Sequence, residues 1–524
     1  MAIAVSHRPP PAPKPLDASL RGYLAANADI VTRISKPVHM ADIGALSAQS
    51  EQAILFENIV EKPGFRLCDI LVKNRRSQAR ALGTTPENYL RTLAYRLRQP
   101  PRGLKTVKTG PVKEVVKLHN EADWTELPIP FHKDKDSAPY VTAMNIIRDP
   151  ETGFYNSCHA GTHAVGPRRG LISFVTPHSH VIMGKYHDLG RDRMPIAFVF
   201  GVPPAYEIMA NFSGLHMDAW GELEMVGTIM DRDIEVVPCE TLELNVPAEA
   251  EIVVEGHVNL NGKFKVGDVT SPSMYNLPHY ENLPEVEITA ITMRGERPIY
   301  RNHQTCPDTD HQPLPRLCHE AVLYNRLSEI GLAVKDVRFP TWGAALSCIL
   351  QFDYPREGMV NDALMVAMGA PWLNTKLVVA VSPDTNLDDP GDVYHAIATR
   401  CDPARDVIVV PNTRGSPYDP SARPLEGQHP WRVVGKMGID ATIKARHDPA
   451  DFERACFDYV RAASEDPTSV PDEILQRCKQ HLTPAQIVEL ACVVGFWKFY
   501  NTVHDSLHIP VESSLLGDTG YVDL

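Results

Sequence analysis

Four side chains near the middle of the chain carry the donor types that a hard cation takes. Asn156 follows a strand-like run, His178 and His180 stand two apart in TPHSH, and Glu222 sits in the apolar helical stretch GELEMVG. Amide oxygen, imidazole and carboxylate together suit Mn²⁺ or Mg²⁺ and do not suit a metal that selects thiolates. Spacing alone leaves plainer alternatives open. Two histidines at this spacing are often surface or hydrogen-bonded residues, and Glu222 could be the polar face of its helix.

Familiar motifs narrow the chemistry by exclusion. The sequence has no GxxxxGKS or GxxxxGKT phosphate loop, no GxGxxG after a strand and no HExxH. It has no GxSxG nucleophile elbow. ATPases, simple NAD enzymes, zincins and α/β-hydrolases therefore lose their main support. Lys plus Arg number 52 against 65 Asp plus Glu, a net charge of −13, which argues against a nucleic-acid partner. No apolar run approaches the ~18 residues of a membrane span, so no membrane association is expected. The N-terminal MAIAVSHRPPPAPKPLD is not a secretory signal, since no basic segment precedes a long apolar one. It reads as a Pro-rich arm. Ten cysteines, none in a CxxC pair, fit a reduced cytoplasmic thiol set. The 524 residues, 43% apolar, predict roughly two to four domains with real cores. The 45 prolines predict many ordered turns.

The elements that must position the four donors follow from periodicity. Residues 18–60 read as helix plus strand, and 68–98 as helical, with Leu90, Leu93 and Leu97 at helical spacing. YVTAMNIIRDPETGFYNSCHA reads as two strands around a DPETG turn. Strand patterns continue to about residue 299, with helical patterns at about 178–189 and 203–230. A helix over about 318–331 stops at Gly331, and strands alternate with helices over 333–445. After Asp448 the pattern is helical throughout, broken at 464–471, with Thr483 before Pro484 as a helix start. No internal repeat is present.

At these residues the chain resembles the UbiD family of decarboxylases, which use prenylated FMN. The resemblance covers about residues 30–445. ELPIPFHKDKDSAPYVTA, DPETGFYNS, MPIAFVFGVPPAYEIMA, GELEMVG, VPAEAEIVVEG, ATRCDPARDVIV and GKMGIDAT carry it, in the family's order. It implies an α+β fold: a central split β-barrel that binds the flavin, flanked by α/β domains. The expected divisions are an N-terminal arm and α/β region at 1–120, the flavin-binding barrel at 121–315 and an α/β domain at 316–447. A helical extension at 448–524 follows.

The resemblance also implies a tether. An Asn, a His and a Glu hold Mn²⁺ or Mg²⁺ against the cofactor phosphate, with K⁺ alongside; here these match Asn156, His180 and Glu222, with His178 as the other histidine. Backbone at Asn156, Ser157 and Cys158, and at Ala210, Asn211 and Phe212, lines flavin and K⁺. Lys376 adds charge near the phosphate, or else ends its strand in solvent. Leu314 and Trp372 match pocket-lining positions, or else pack in the core. A flavin prenyltransferase supplies the cofactor.

The chain departs from the family where its Arg and two Glu normally stand. Gly161 occupies the Arg position, and KFKVGD replaces an EGPFGE-like stretch, giving Lys263 and Asp268. Asp268 is then the candidate general acid, its pKa raised by burial beside the flavin, or else a turn residue after Gly267. Lys263 or His163 would supply positive charge. Lys263 also follows Asn261-Gly262, a hairpin-turn signal, and would then be exposed. Without the Arg, which clamps carboxylates bidentately, a CoA thioester becomes a substrate option.

The last 75 or so residues resemble part of an AhpD/carboxymuconolactone-decarboxylase-type helical domain. That domain's peroxidase chemistry needs CxxC, and here Cys456 and Cys478 stand alone. The segment is therefore expected to pack or oligomerise, because the helix around 488–499 is too apolar to stand in water. The resulting expectation is a cytoplasmic, homo-oligomeric, non-oxidative and reversible decarboxylase of an aromatic or α,β-unsaturated acid. An aroyl-CoA decarboxylase or a carboxylase is the alternative, and a catalytically silent flavin-binding or assembly protein the second.

Overall fold

In RMPIAFVF, residues 193–200, alternate side chains serve two cores. Met194, Ile196, Phe198 and Phe200 pack into one, while Ala197 and Val199 pack into the other. A strand buried on both faces reads as a near-continuous apolar run. This strand is central to the molecule. The computed structural model describes residues 16–506 except 133–135, 175, 213–220, 265–268, 271–275, 278–282, 306–308, 311, 345, 354, 356–357, 371–374, 417–418, 425–431 and 445–450. The expected N-terminal arm, Asp268 and Trp372 lie outside the described residues, as does the Lys263 side chain.

We label the strands of the central sheet β1 (Val115–Leu118), β2 (Tyr140–Val141), β3 (Met144–Arg148), β4 (Tyr155–His159), β5 (Gly161–Gly166), β6 (Arg169–Ser173), β7 (Arg193–Phe200), β8 (Ile252–Phe264) and β9 (Leu283–Met293). Their order is β2-β5-β6-β9-β8-β7-β3-β4, with β1 also on β9. All pairings are antiparallel. This is the split-barrel sheet expected from the sequence. Three helices lie between its strands: α1 (Pro177–Asp188), α2 (Pro204–Ala210) and α3 (Glu222–Met230).

The DPETG turn forms as read. Asp149 accepts the Glu151 and Thr152 amides at 2.9 and 3.0 Å, and Gly153 takes φ +77°. The Asn261-Gly262 hairpin does not form. Both residues lie within β8, which runs on to Phe264 with its register against β9 shifted between Asn259 and Phe264. The local turn propensity yields to pairing with β9, and the surplus residues bulge.

On one flank, Val31–Ile34, Ala53–Phe56, Arg66–Asp69 and Ile299–Arg301 form a four-stranded sheet. Residues 66–69 are thus strand, and the helical pattern expected over 68–98 resolves into Arg75–Ala81 and Tyr89–Arg96. On the other flank is a sheet of six strands. Within it Leu377–Val381 alternates: Val378 and Ala380 face Leu364 and Ala367, while Val379 and Val381 face Val393 and Ala396. These residues belong to one compact unit, residues 1–442. A second unit, residues 443–524, contains the helices Asp451–Glu465, Asp472–His481 and Pro484–Ser506. Thr483 caps the last of these by exchanging hydrogen bonds with Gln486.

One buried cation ties α2 to the flanking sheet. Arg301 bonds Glu207 at 2.7 and 3.0 Å, Asp310 at 2.5 Å and Asp69 at 3.4 Å. All four side chains are at most 2% exposed. Burial, and then the neighbouring Asp310, push the Asp69 carboxyl up to about 6. Arg301→Met would strand three carboxylates without a guanidinium, and breaking a buried pair in this way costs on the order of 3–5 kcal/mol. Protonation neutralises stranded carboxylates, so the deficit should narrow as pH falls from about 8 to about 5. Urea unfolding of both proteins at the two pH values measures this; a deficit that stays constant or grows on acidification contradicts it.

Candidate active site

The site is assembled from β4, α1, α2 and α3. β4 follows the DPETG turn and carries Asn156, Ser157 and Cys158, all buried. α3 starts at Glu222, directly after Gly221. A Cβ on Gly221 would collide with the Tyr155 carbonyl oxygen, so glycine is what lets the helix end approach β4. That approach delivers the Glu222 carboxylate, 4% exposed, to the Ser157 amide, which donates to Oε2 at 3.0 Å.

α1 brings one of the two histidines to this carboxylate. His178 Nδ1 lies 3.5 Å from Glu222 Oε1. His180 points elsewhere: its Nε2 is 3.0 Å from the Phe174 carbonyl, and burial lowers its pKa. The imidazole beside Glu222 is therefore His178, where the resemblance pointed first to His180. Ser179 between them is buried and bonds Thr176 at 2.7 Å and the Cys158 sulfur at 3.4 Å. Burial pushes the Cys158 thiol up to about 11.

The local donor set fits a hard cation. The Asn156 amide NH₂ and Ser157 hydroxyl are buried without a hydrogen-bond partner among the described residues; the NH₂ group donates and so calls for an acceptor such as a phosphate oxygen, while only the amide oxygen of Asn156 could face a cation. Glu222 and His178 add a carboxylate and an imidazole beside them. No cluster of three His, Cys, Asp or Glu side chains that could hold a metal occurs among the described residues.

α2 forms a second wall. Ala210 and Phe212 are buried, and Asn211 donates to the Glu207 carbonyl at 2.8 Å and lies 3.1 Å from His159 Nδ1. The His159 ring meets His303 edge-on at 4.9 Å. His303 Nδ1 is 2.8 Å from the Thr142 carbonyl, and its Nε2 is 3.2 Å from Glu207 Oε2. Burial alone would push Glu207 up, but Arg301 and then His303 hold it well below the usual carboxylate range. Residues 301–305, RNHQT, are all buried here. Sequence reasoning passed over them, and the only available signal was five consecutive polar residues at a strand end.

Other expected residues are placed as follows. His163 is buried in β5, its ring 4.9 Å from Tyr140. Any side chain at Gly161 would collide with the Tyr140 hydroxyl, so the phenol fills the space over this glycine. Leu314 is buried in the core. Lys376 does not stand as a spare charge: its ammonium lies 3.2 Å from the buried Asp419 and 2.5 Å from Ser421.

Comparison with known proteins agrees with this architecture. The family model described as 3-octaprenyl-4-hydroxybenzoate carboxy-lyase Rift-related domain matches residues 105–307, and that for the C-terminal domain matches 314–441. An anhydromevalonate phosphate decarboxylase of Methanosarcina mazei is 29% identical over 441 residues, covering 83% of this chain and 97% of the relative. One of Methanothermobacter thermautotrophicus is 31% identical, over 61% of this chain and 73% of its own. The UbiD-class enzyme HmfF from Pelotomaculum thermopropionicum, solved with FMN, is 31% identical with a TM-score of 0.74, covering 82% of this chain and 94% of that one. An evolved dimeric form of HmfF was solved with prFMN, at 29% identity and a TM-score of 0.72, covering 82% of this chain and 96% of that one. Two family models that together span most of the chain, and relatives of this likeness, establish that it belongs to the UbiD family and is a UbiD-type carboxy-lyase.

Proposed function

We propose that this protein removes CO₂ without net oxidation from an α,β-unsaturated or aromatic carboxylic acid, using prenylated FMN tethered through Mn²⁺ or Mg²⁺. The observation that carries this is the buried Glu222 carboxylate between the Ser157 amide and His178, beside unpartnered polar atoms of Asn156 and Ser157. Asn156, His178 and Glu222 would hold the metal, and backbone at 156–158 and 210–212 would line the flavin and a K⁺. A phosphate dianion in so buried a place needs such cations.

When bound, prenylated FMN supplies the electron sink that lets the carbon–carboxylate bond break. The chain's part is to seat the acid, keep water out and return a proton to the carbon that lost CO₂. Asp268 is the proposed donor. His303, edge-on to His159 beside the α2 wall, is the second candidate donor. With Gly161 in place of an Arg, Tyr140 and His163 present a phenol and an imidazole where the family would present a guanidinium. Their reach to a carboxylate is by single hydrogen bonds and not a bidentate clamp.

The curated relatives named above act on anhydromevalonate phosphate, a name that specifies a phosphate ester and no aromatic ring. This supports the unsaturated-acid class over the aromatic one and keeps a CoA thioester as the phosphate-bearing alternative. The same machinery run in reverse is a carboxylase. We place the enzyme in the cytoplasm as a homo-oligomer, with a flavin prenyltransferase supplying its cofactor. No helix among the described residues is long and apolar enough to cross a membrane, and nine described cysteines are free thiols.

Two measurements test this reading. Co-expressed with a flavin prenyltransferase, the protein should retain flavin and Mn²⁺, whereas Glu222→Ala and His178→Ala should each lose at least about tenfold in metal affinity. His180→Ala should retain both; the opposite ranking of the two histidines, seen by metal analysis and absorbance, would reject this ligand set. For the acid, Asp268→Asn should slow deuterium incorporation at the product carbon by about a hundredfold. An unchanged rate in Asp268→Asn alongside a slowed His303→Asn would transfer the role to His303.

A further inference from the structure

A cleft of about 590 Å³ opens beside the DPETG turn, between the C-terminal end of α1 and the strands β7 and β8. Arg148, Arg191, Arg193 and His257 line it, against Asp149, Glu151 and Glu243. Two of its three guanidiniums have no carboxylate partner among the described residues. Arg148 spends only its Nε, on the Gly153 carbonyl at 2.9 Å, and lies over the Tyr155 ring at 5.6 Å. Arg191 is exposed and lies over the Tyr186 ring at 5.6 Å, and its side chain makes no hydrogen bond or ion pair with a described residue. Arg193, by contrast, pairs with Glu287 at 3.1 Å.

The acids at the cleft do not meet these two cations. Asp149 is held by the turn amides and by Lys185 at 2.6 Å, and Lys185 also takes Glu151 at 3.1 Å. Glu243 is exposed and forms no ion pair with a described residue. Both free guanidiniums act on one phenol: burial pushes the Tyr186 pKa up, and Arg191 and then Arg148 oppose it. His257 adds an imidazole whose Nδ1 is buried without a partner among the described residues, a state that calls for one. Uncommitted guanidinium donors and an unpartnered ring nitrogen on one concave surface match an oxyanion. The cleft is separate from the candidate active site but lies on the same elements. Tyr186 follows His178 on α1 by about 12 Å along the helix. Arg148 ends β3 opposite Tyr155, the residue before Asn156.

We propose that this cleft is a binding site for a small oxyanion, a carboxylate or phosphate group, gripped by Arg148 and Arg191 with His257 donating from the wall. The tyrosine rings support the two guanidiniums, and their Nη groups remain to donate. Neither the metal tether nor the flavin takes part, so the site stands independently of the decarboxylase reading.

The test is calorimetric titration of the holoprotein with sodium phosphate and with sodium acetate, at low ionic strength so that screening does not mask the charges. At least one anion should bind. Arg191→Ala, whose side chain is exposed, should weaken that binding about tenfold, the scale of one charge-assisted contact. Arg148→Lys keeps the charge but loses the planar fork, and should weaken it as well. Glu243→Gln removes a like charge from the cleft and should tighten binding about twofold. Arg80→Ala, an equal loss of charge in the segment Arg75–Ala81, where the side chain pairs with Asp29, should leave it unchanged. Tighter binding of phosphate than of acetate assigns a phosphate-bearing ligand, and the reverse order a carboxylate. Silence from both anions, wild-type affinity in Arg191→Ala, no tightening in Glu243→Gln, or an equal loss in Arg80→Ala overturns the proposal.

Discussion

The hydrogen bond from the Ser157 amide to the Glu222 carboxylate joins residues 65 apart in sequence and fixes the candidate site. It brings the first residue of α3 onto the middle of β4, and both are buried. An amide donating to a buried carboxylate is among the stronger hydrogen bonds, worth about 1.5–3 kcal/mol net. The helix N-terminus also favours negative charge at its first turn. Close approach is possible because Gly221 has no Cβ to meet the Tyr155 carbonyl. Asn156 and Cys158 flank Ser157 on β4 and so lie beside this junction.

A second constraint is electrostatic. Arg301 holds three buried carboxylates, and Glu207 shares one of its oxygens' surroundings with His303. In such a low-dielectric place each charge depends on its partners far more than it would in water. The network fixes α2 from below, and α2 in turn carries residues 210–212 into the site. Packing of the apolar cores positions the sheets; this polar network positions α2.

Much of this was legible in the sequence, for physical reasons that differ by residue. The DPETG turn could be read because Asp, Thr and Gly each do one local job there. The central strand 193–200 could be read because burial on both faces leaves an apolar run. Asn156 and Glu222 were visible through long phrases shared with the family. The histidine was not settled, since residues two apart on an α-helix point about 200° away from each other. Only one of His178 and His180 can face Glu222, and which one depends on the rotation of α1 about its axis. That rotation is a tertiary property.

The misses have a common cause. Asn261-Gly262 carries a hairpin signal that pairing with β9 overrides. RNHQT looks like a solvated loop until Arg301 meets its carboxylates from distant segments. Lys376 looked like a spare charge because Asp419, 43 residues further on, is invisible to local reading. The account's central claim is that an amide, an imidazole and a carboxylate gathered by β4, α1 and α3 hold one metal ion. Anomalous diffraction from a Mn²⁺-loaded crystal measures this directly. The account predicts one peak in contact with Asn156, His178 and Glu222; a peak at His180, or none at this junction, would contradict it.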